Sequence, residues 1–168
     1  MTETNDITVG IGQRARRSLL TFLIAAVIVG LDQLTKYLVM TYMELGQSIP
    51  EEGWIRLTYT TNTGGAFSLF ANQGFLLAIA SILGIAILVL YLRYLPLDSK
   101  VLKLGLALDL GGAVGNLIDR VRFGEVVDFV DVGAYPVFNV ADSAITVGTV
   151  LIVYYLLFIA TRKTRKPT

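Results

Sequence analysis

Two aspartates carry the chemical potential of this chain: Asp128, in Val126-Val127-Asp128-Phe129, and Asp142, in Phe138-Asn139-Val140-Ala141-Asp142-Ser143. Each lies beside a long apolar segment, where a carboxylate is costly unless it has a partner or a function. The sequence has no His and no Cys. A Ser–His–Asp triad is therefore impossible, and so are thiol catalysis, disulfides and zinc ligation by His or Cys. A Ser–Lys dyad would depend on Lys36, and no Ser is obviously placed to meet it. What remains is a pair of carboxylates in a poorly hydrated pocket, where like charges cannot easily both ionise and one stays protonated near neutral pH. The ionised member can draw a proton from water while the protonated member donates to a scissile carbonyl or a leaving amine. Asp128 and Asp142 are bridged by a segment that can bring them together if it turns back on itself, which Gly133 and Pro136 would help; spacing alone does not establish it. Asp131 competes with Asp128 as the partner of Asp142, and spacing does not choose between them. No metal and no cofactor is expected.

The elements that position these residues belong to a membrane protein. Over 168 residues, 54% are hydrophobic and 16% charged, and mean hydropathy is +0.66, outside the usual range of soluble domains. Four stretches are long and apolar enough to span a bilayer, at roughly residues 18–40, 74–92, 101–117 and 143–160. The fold class expected is an all-α polytopic membrane protein, one membrane domain over 1–168 with a small extracytoplasmic β platform. That platform falls in the loop 41–73, where Trp54-Ile55-Arg56-Leu57-Thr58-Tyr59-Thr60 alternates like a short strand and Thr63-Gly64-Gly65 signals a turn. A polar link around Leu95-Pro96-Leu97-Asp98 joins the second and third spans.

Charge orients the bundle. Arg14, Arg16 and Arg17 precede the first span, Arg93, Lys100 and Lys103 lie between the second and third, and Arg162, Lys163, Arg165 and Lys166 follow the fourth. With four spans all of these fall on one side, which the positive-inside rule places in the cytoplasm together with both termini. The first apolar run has no small-x-small cleavage site and continues into Asp32-Gln33-Leu34-Thr35-Lys36, so it reads as an uncleaved span. A net charge of +1 gives no indication of nucleic-acid binding, and the basic tail suits lipid headgroups.

Helical rise turns sequence distance into depth. At 1.5 Å per residue, Asp32 lies about 22 Å and Lys36 about 28 Å from Arg17. By the same rise Asn116 and Asp119 lie about 20 and 24 Å from Lys103, and Asp142 about 30 Å from Arg162. Three helices thus bring polar residues to one level, near the outer interface. Asp32 and Lys36, four apart, share a helix face and can pair. Gly111-Gly112-Ala113-Val114-Gly115 offers small residues for close helix approach. Arg120, next to Asp119, admits a simple interfacial ion pair. Asn62 is either a turn residue or a substrate-contacting amide. Asp109, about 9 Å from the inner face, reads as a structural polar contact inside the bundle.

On five blocks the chain resembles signal peptidase II, the bacterial lipoprotein signal peptidase family. The blocks are Asp32-Gln33-Leu34-Thr35-Lys36, Asn62-Thr63-Gly64-Gly65-Ala66-Phe67-Ser68, Gly111 through Arg120, Val126-Val127-Asp128-Phe129, and Phe138-Asn139-Val140-Ala141-Asp142-Ser143-Ala144. The resemblance implies a catalytic pair of Asp128 and Asp142. It implies a polar shell of Asp32, Lys36, Asn62, Asn116, Asp119, Arg120 and Asn139 that supports the pair, the outer loops or the substrate. It further implies a prolipoprotein substrate carrying diacylglycerol on its Cys and cut on the N-terminal side of that Cys. An outer β-cradle, a cleft facing membrane lipids in the bacterial cytoplasmic (inner) membrane, and sensitivity to globomycin-type antibiotics follow from the same resemblance. The segment between Asp128 and Asp142 is short for the family, Gly65 stands where Ala or Val is common, and Asp109 lies outside the pattern. A single bundle suffices for such a site, so a monomer is expected. The non-enzyme alternative is a small proton- or ion-coupled carrier using intramembrane carboxylates.

Overall fold

A computed structural model describes residues 3–63, 74–94 and 99–161, with side chains from Leu19 onward. The expected turn at Gly64-Gly65, the link at Pro96 and the basic tail from Arg162 lie outside the described residues, as do the side chains of Arg14, Arg16 and Arg17. In chain order the elements are α1 (Glu3–Tyr42), β1 (Ser48–Ile49), β2 (Arg56–Asn62), α2 (Gly74–Tyr94), α3 (Lys100–Phe123), β3 (Val126–Asp131) and α4 (Val140–Tyr154). A π-helical stretch, Tyr155–Ala160, continues α4. Four helices are long and apolar enough to cross a membrane: Leu19–Tyr42, Phe75–Tyr94, Lys100–Phe123 and Val140–Ala160.

α3 is the central helix and touches α1, α2 and α4. It starts at Ser99, whose side chain accepts from Leu102 N, and ends at Gly124. Gly124 has φ +80°, a left-handed value that glycine adopts without steric cost and that closes a helix C-terminus. The apolar core lies in the half of the bundle away from the sheet, around Ala25, Leu92, Leu102, Leu106 and Leu110, with Ile152 and Tyr155 against it. Elsewhere large apolar side chains such as Leu23, Leu83, Ile87 and Val150 are exposed, as expected where the solvent is lipid rather than water.

Helix association in a bilayer relies on close contact, because lipid tails are as apolar as the helices themselves. The small residues of α3 provide that contact in two directions. A Cβ at Gly111 would lie 2.8 Å from Ala25 O of α1, and one at Gly112 would lie 2.4 Å from Ala141 O of α4. Adjacent glycines therefore seat α3 against both neighbours at once.

The three strands form an antiparallel sheet in the order β1-β2-β3. Thr60 pairs with Asp128 and Arg56 with Asp131, and a register shift falls between Leu57 and Thr60. β2 thus carries one residue more than β3 across that interval, a β-bulge. The expected platform is present, but it includes a strand that sequence reading had treated as loop. Val126–Asp131, the segment holding Asp128, is the inner edge of the sheet and is almost wholly buried.

The helix ends also differ from expectation. α3 runs to Phe123 rather than stopping near Leu117, and α4 begins at Val140 rather than Ser143. Asn116, Asp119 and Asp142 are therefore on helices, where their side chains find partners sideways across the bundle.

Candidate active site

Lys36 lies at the centre of the polar end of the bundle and is 1% exposed. Its Nζ lies 2.9 Å from Asp32 Oδ2 and 2.8 Å from Asp119 Oδ2, and it donates to Asn116 Oδ1 at 3.0 Å. An ammonium has three donors, and each has an acceptor here. The i,i+4 pair expected on α1 is present, but it is one edge of a larger network. Asp119 does not pair with Arg120, because consecutive helical residues point in different directions.

Each of the two carboxylates held by Lys36 also holds a piece of backbone. Asp32 Oδ1 accepts from Ala141 N at 2.9 Å, and Asp119 Oδ2 accepts from Val127 N at 3.1 Å. Ala141 precedes Asp142 and Val127 precedes Asp128. The buried charges of α1 and α3 therefore fix the backbone directly beside both aspartates.

Two amides connect those aspartates. Asn139 caps α4, its Oδ1 accepting from Asp142 N at 2.8 Å, as an N-cap residue does. Its Nδ2 donates to Asp128 Oδ1 at 2.7 Å and also approaches Val127 O and Asn116 Oδ1. Asn116 Nδ2 donates to Asp142 Oδ1 at 2.7 Å, and Asn62 Nδ2, from β2, donates to Asp128 Oδ2 at 3.1 Å. Asp128 and Asp142 are thus joined through Asn139 and Asn116 in one hydrogen-bonded system. Burial, followed by the nearby Asp142 carboxylate, pushes the Asp128 carboxyl up to about 7.

A cavity of about 500 Å³ opens on this system. Asp142, Asn116, Asn62 and Arg120 line its polar end, and Val137, Phe138, Ile145 and Val147 supply apolar walls. Asp142 is half-buried at the cavity, whereas Asp128 is 1% exposed and lies behind it. Arg120 reaches Ser81 of α2 at 3.5 Å and is within electrostatic reach of Asp142, Asp128 and Asp119.

Asp131 belongs elsewhere. Its Oδ2 accepts from Arg56 at 2.5 Å and from Thr58 at 3.0 Å, and its Oδ1 accepts from Gly133 N at 2.8 Å. The Gly133 amide, more than the Arg56 guanidinium, holds this carboxyl below the usual carboxylate range. Three residues apart on a strand means opposite faces, which separates Asp131 from Asp128. Asp109 makes a side-chain contact with Thr149 of α4, while its Oδ1 is buried without a hydrogen-bond partner among the described residues. The structure also uses Gln33, to which sequence reading gave no role. Its Nε2 approaches Asp119 Oδ1 at 2.8 Å, Asp32 Oδ2 at 3.2 Å and Gly115 O at 3.2 Å. Among the described residues no group of three or more acidic side chains is placed to hold a metal ion.

Membrane-length helices that hold a buried carboxylate system at the mouth of an apolar cavity define a polytopic membrane enzyme. Residues 24–158 match the family model described as signal peptidase (SPase) II, and the chain belongs to that family. It is 44% identical to the lipoprotein signal peptidase of Moorella thermoacetica, over 86% of this chain and 97% of the relative. It is 50% identical to that of Desulforapulum autotrophicum, over 81% and 90%. A bacterial membrane enzyme solved by the in meso method at 2.3 Å resolution has a similar structure, with a TM-score of 0.80 at 33% identity, covering 89% of this chain and 94% of its own.

Proposed function

We propose that the protein is an aspartic endopeptidase of the bacterial cytoplasmic membrane. It removes the signal peptide from diacylglyceryl-modified prolipoproteins by cutting on the N-terminal side of the lipidated Cys. The observation that carries this reading is the Asn139 side chain, which donates to the Asp128 carboxylate while accepting from the backbone of Asp142. A carboxylate pair held this way suits the activation of a water molecule. One member takes a proton from the water as it attacks the scissile carbonyl, and the other protonates the leaving amine. The two titrate as a coupled system, so neither has a fixed role.

The surrounding residues fit the substrate. Asn62 and Arg120 supply N–H donors at the polar end of the cavity, where charge develops on the carbonyl oxygen. The walls of Val137, Phe138, Ile145 and Val147 suit acyl chains and the apolar signal peptide, and a globomycin-type inhibitor would occupy the same space. Thr146 and Val147 are exposed on α4, which supports entry from the lipid side. Positive-inside charge supports a site at the outer leaflet with both termini in the cytoplasm. A single bundle supplies Asp128, Asp142, Lys36 and the amides around them, and we read the protein as a monomer. A carrier would distribute titratable groups along its path; among the described acidic residues of the four spans, only Asp109 lies away from the clustered end.

The test is cleavage of a diacylglyceryl-prolipoprotein by the purified protein in detergent or bilayer. Asp128→Asn and Asp142→Asn should each abolish cutting with the fold intact, while Asp131→Asn retains it. An Asp131→Asn variant as inactive as the other two would overturn the assignment of the pair. Ion transport in liposomes without peptidase activity would overturn the enzyme reading.

A further inference from the structure

The structure assigns Gln33 as a positioning residue that locks the two carboxylates holding the backbone beside Asp128 and Asp142. This rests on the proposed aspartate pair and extends it to a side chain that touches neither member. All three donors of Lys36 are engaged by Asp32 Oδ2, Asp119 Oδ2 and Asn116 Oδ1. The ammonium therefore offers nothing to the remaining oxygen of Asp119. Gln33 Nε2 fills that gap at 2.8 Å and also reaches Asp32 Oδ2 at 3.2 Å. One amide thus ties a carboxylate of α1 to a carboxylate of α3, and its approach to Gly115 O fixes its own position against α3.

Asp119 is 1% exposed, so without Gln33 its Oδ1 would be a buried carboxylate oxygen with no donor among the described residues, a strongly unfavourable state. The carboxylate would then rotate to share Lys36 differently, drawing Oδ2 away from Val127 N. Asp32 loses a donor at the same time, and Oδ1 of the same carboxylate holds Ala141 N. Both effects reach the residue directly before each member of the pair. Gln33 supplies these donors without adding charge. A Lys or Arg in its place would weaken the proton affinity of the nearby pair. Its influence is therefore on geometry, and it should appear in turnover rather than in substrate affinity.

The experiment compares wild type with Gln33→Leu and with Gln33→Met, which is unbranched and of similar length. Steady-state cleavage of a diacylglyceryl-prolipoprotein is measured together with amide hydrogen exchange in detergent. Displacing reacting groups by about an ångström costs on the order of 100-fold. The expected result is a fall in kcat of about 10- to 100-fold with KM within about twofold. Exchange should accelerate at Val127 and Ala141 but not at Leu106 or Leu110. Unchanged kcat would overturn the assignment, as would a change confined to KM. So would faster exchange throughout α3, or failure of both variants to fold, since either makes Gln33 a stability residue. Asp128→Asn is assayed in parallel. If that variant still cuts, the aspartate reading fails; if it is inactive while the Gln33 variants match wild type, only the present inference fails.

Discussion

Asp128→Asn should make the protein more stable as it makes it inactive. The Asp128 carboxyl is raised from 3.8 to about 7, first by burial and then by Asp142. The native state therefore binds this proton more tightly than the unfolded chain does, and ionisation works against folding. The cost is absent well below pH 4, grows as pH rises towards 7 and is complete above it. Three units at about 1.4 kcal/mol each give a penalty on the order of 4 kcal/mol. An amide at position 128 carries no charge at any pH, but it has one acceptor where the carboxylate has two. Asn139 Nδ2 at 2.7 Å and Asn62 Nδ2 at 3.1 Å both donate to the carboxylate, so one bond worth about 1 kcal/mol is lost. The net gain is about 3 kcal/mol at pH 8, equivalent to a rise in Tm of roughly 6–12 °C for a chain of this size. At pH 4 the variant should be equal to wild type or slightly weaker. Thermal unfolding in detergent from pH 4 to 8.5 reads this, beside a cleavage assay in which activity falls by about 10³-fold or more. A Tm at or below wild type at pH 8 would refute the reasoning, and so would a stability difference that fails to widen with pH.

Other substitutions test the supports of the site. Lys36→Met leaves Asp32 and Asp119 buried without their cation and should cost about 3–5 kcal/mol, seen as loss of folded protein on size-exclusion chromatography. Gly112→Ala places a Cβ 2.4 Å from Ala141 O, pushing α4 and Asp142 outward, and cleavage should fall at least about 10-fold. Gly30→Ala, with nothing within 4 Å of the added carbon, should raise stability by about 0.5–1 kcal/mol and leave cleavage unchanged. Asp131→Asn should keep cleavage within a few-fold of wild type yet lower Tm at neutral pH. Because the Asp131 carboxyl is held below its ordinary value, that difference should close as pH falls through and below the carboxylate range.

Hydropathy and charge made the four spans legible, and helical rise correctly gathered Asp32, Lys36, Asn116, Asp119 and Asp142 at one level. Span ends were less legible, because hydropathy treats a polar residue as an exit from the membrane. Asn116 and Asp119 remain on α3 because Lys36, Gln33 and Val127 N satisfy them from the side, which a one-dimensional scale does not register. β3 was missed for a related reason. Its run of Val and Phe suits a strand, but almost every position is buried, so the alternation that marks a half-buried strand is absent. Reading that strand would have separated Asp128 from Asp131 by parity alone. Gln33 gave no signal, since a neutral amide beside an aspartate announces neither charge nor partner.

The start of α4 has a consequence for the pair itself. Aligned peptide dipoles give a helix N-terminus the equivalent of about half a positive charge; Asp142 lies in the first turn of α4, and Asp32 accepts from Ala141 N in the same turn. Unlike a lysine or a histidine, this partial charge never titrates and is not lost by a change of rotamer. Lys36 leaves one net negative charge on Asp32 and Asp119, and Arg120 lies within electrostatic reach of Asp142 and Asp128 as well as Asp119. The helix end therefore adds a fixed positive charge to those of Arg120 and Lys36 around the aspartate pair. An ionised carboxylate in the proposed pair is thereby favoured by peptide geometry as well as by side chains, and the backbone share is one that solvent or substrate does not disturb.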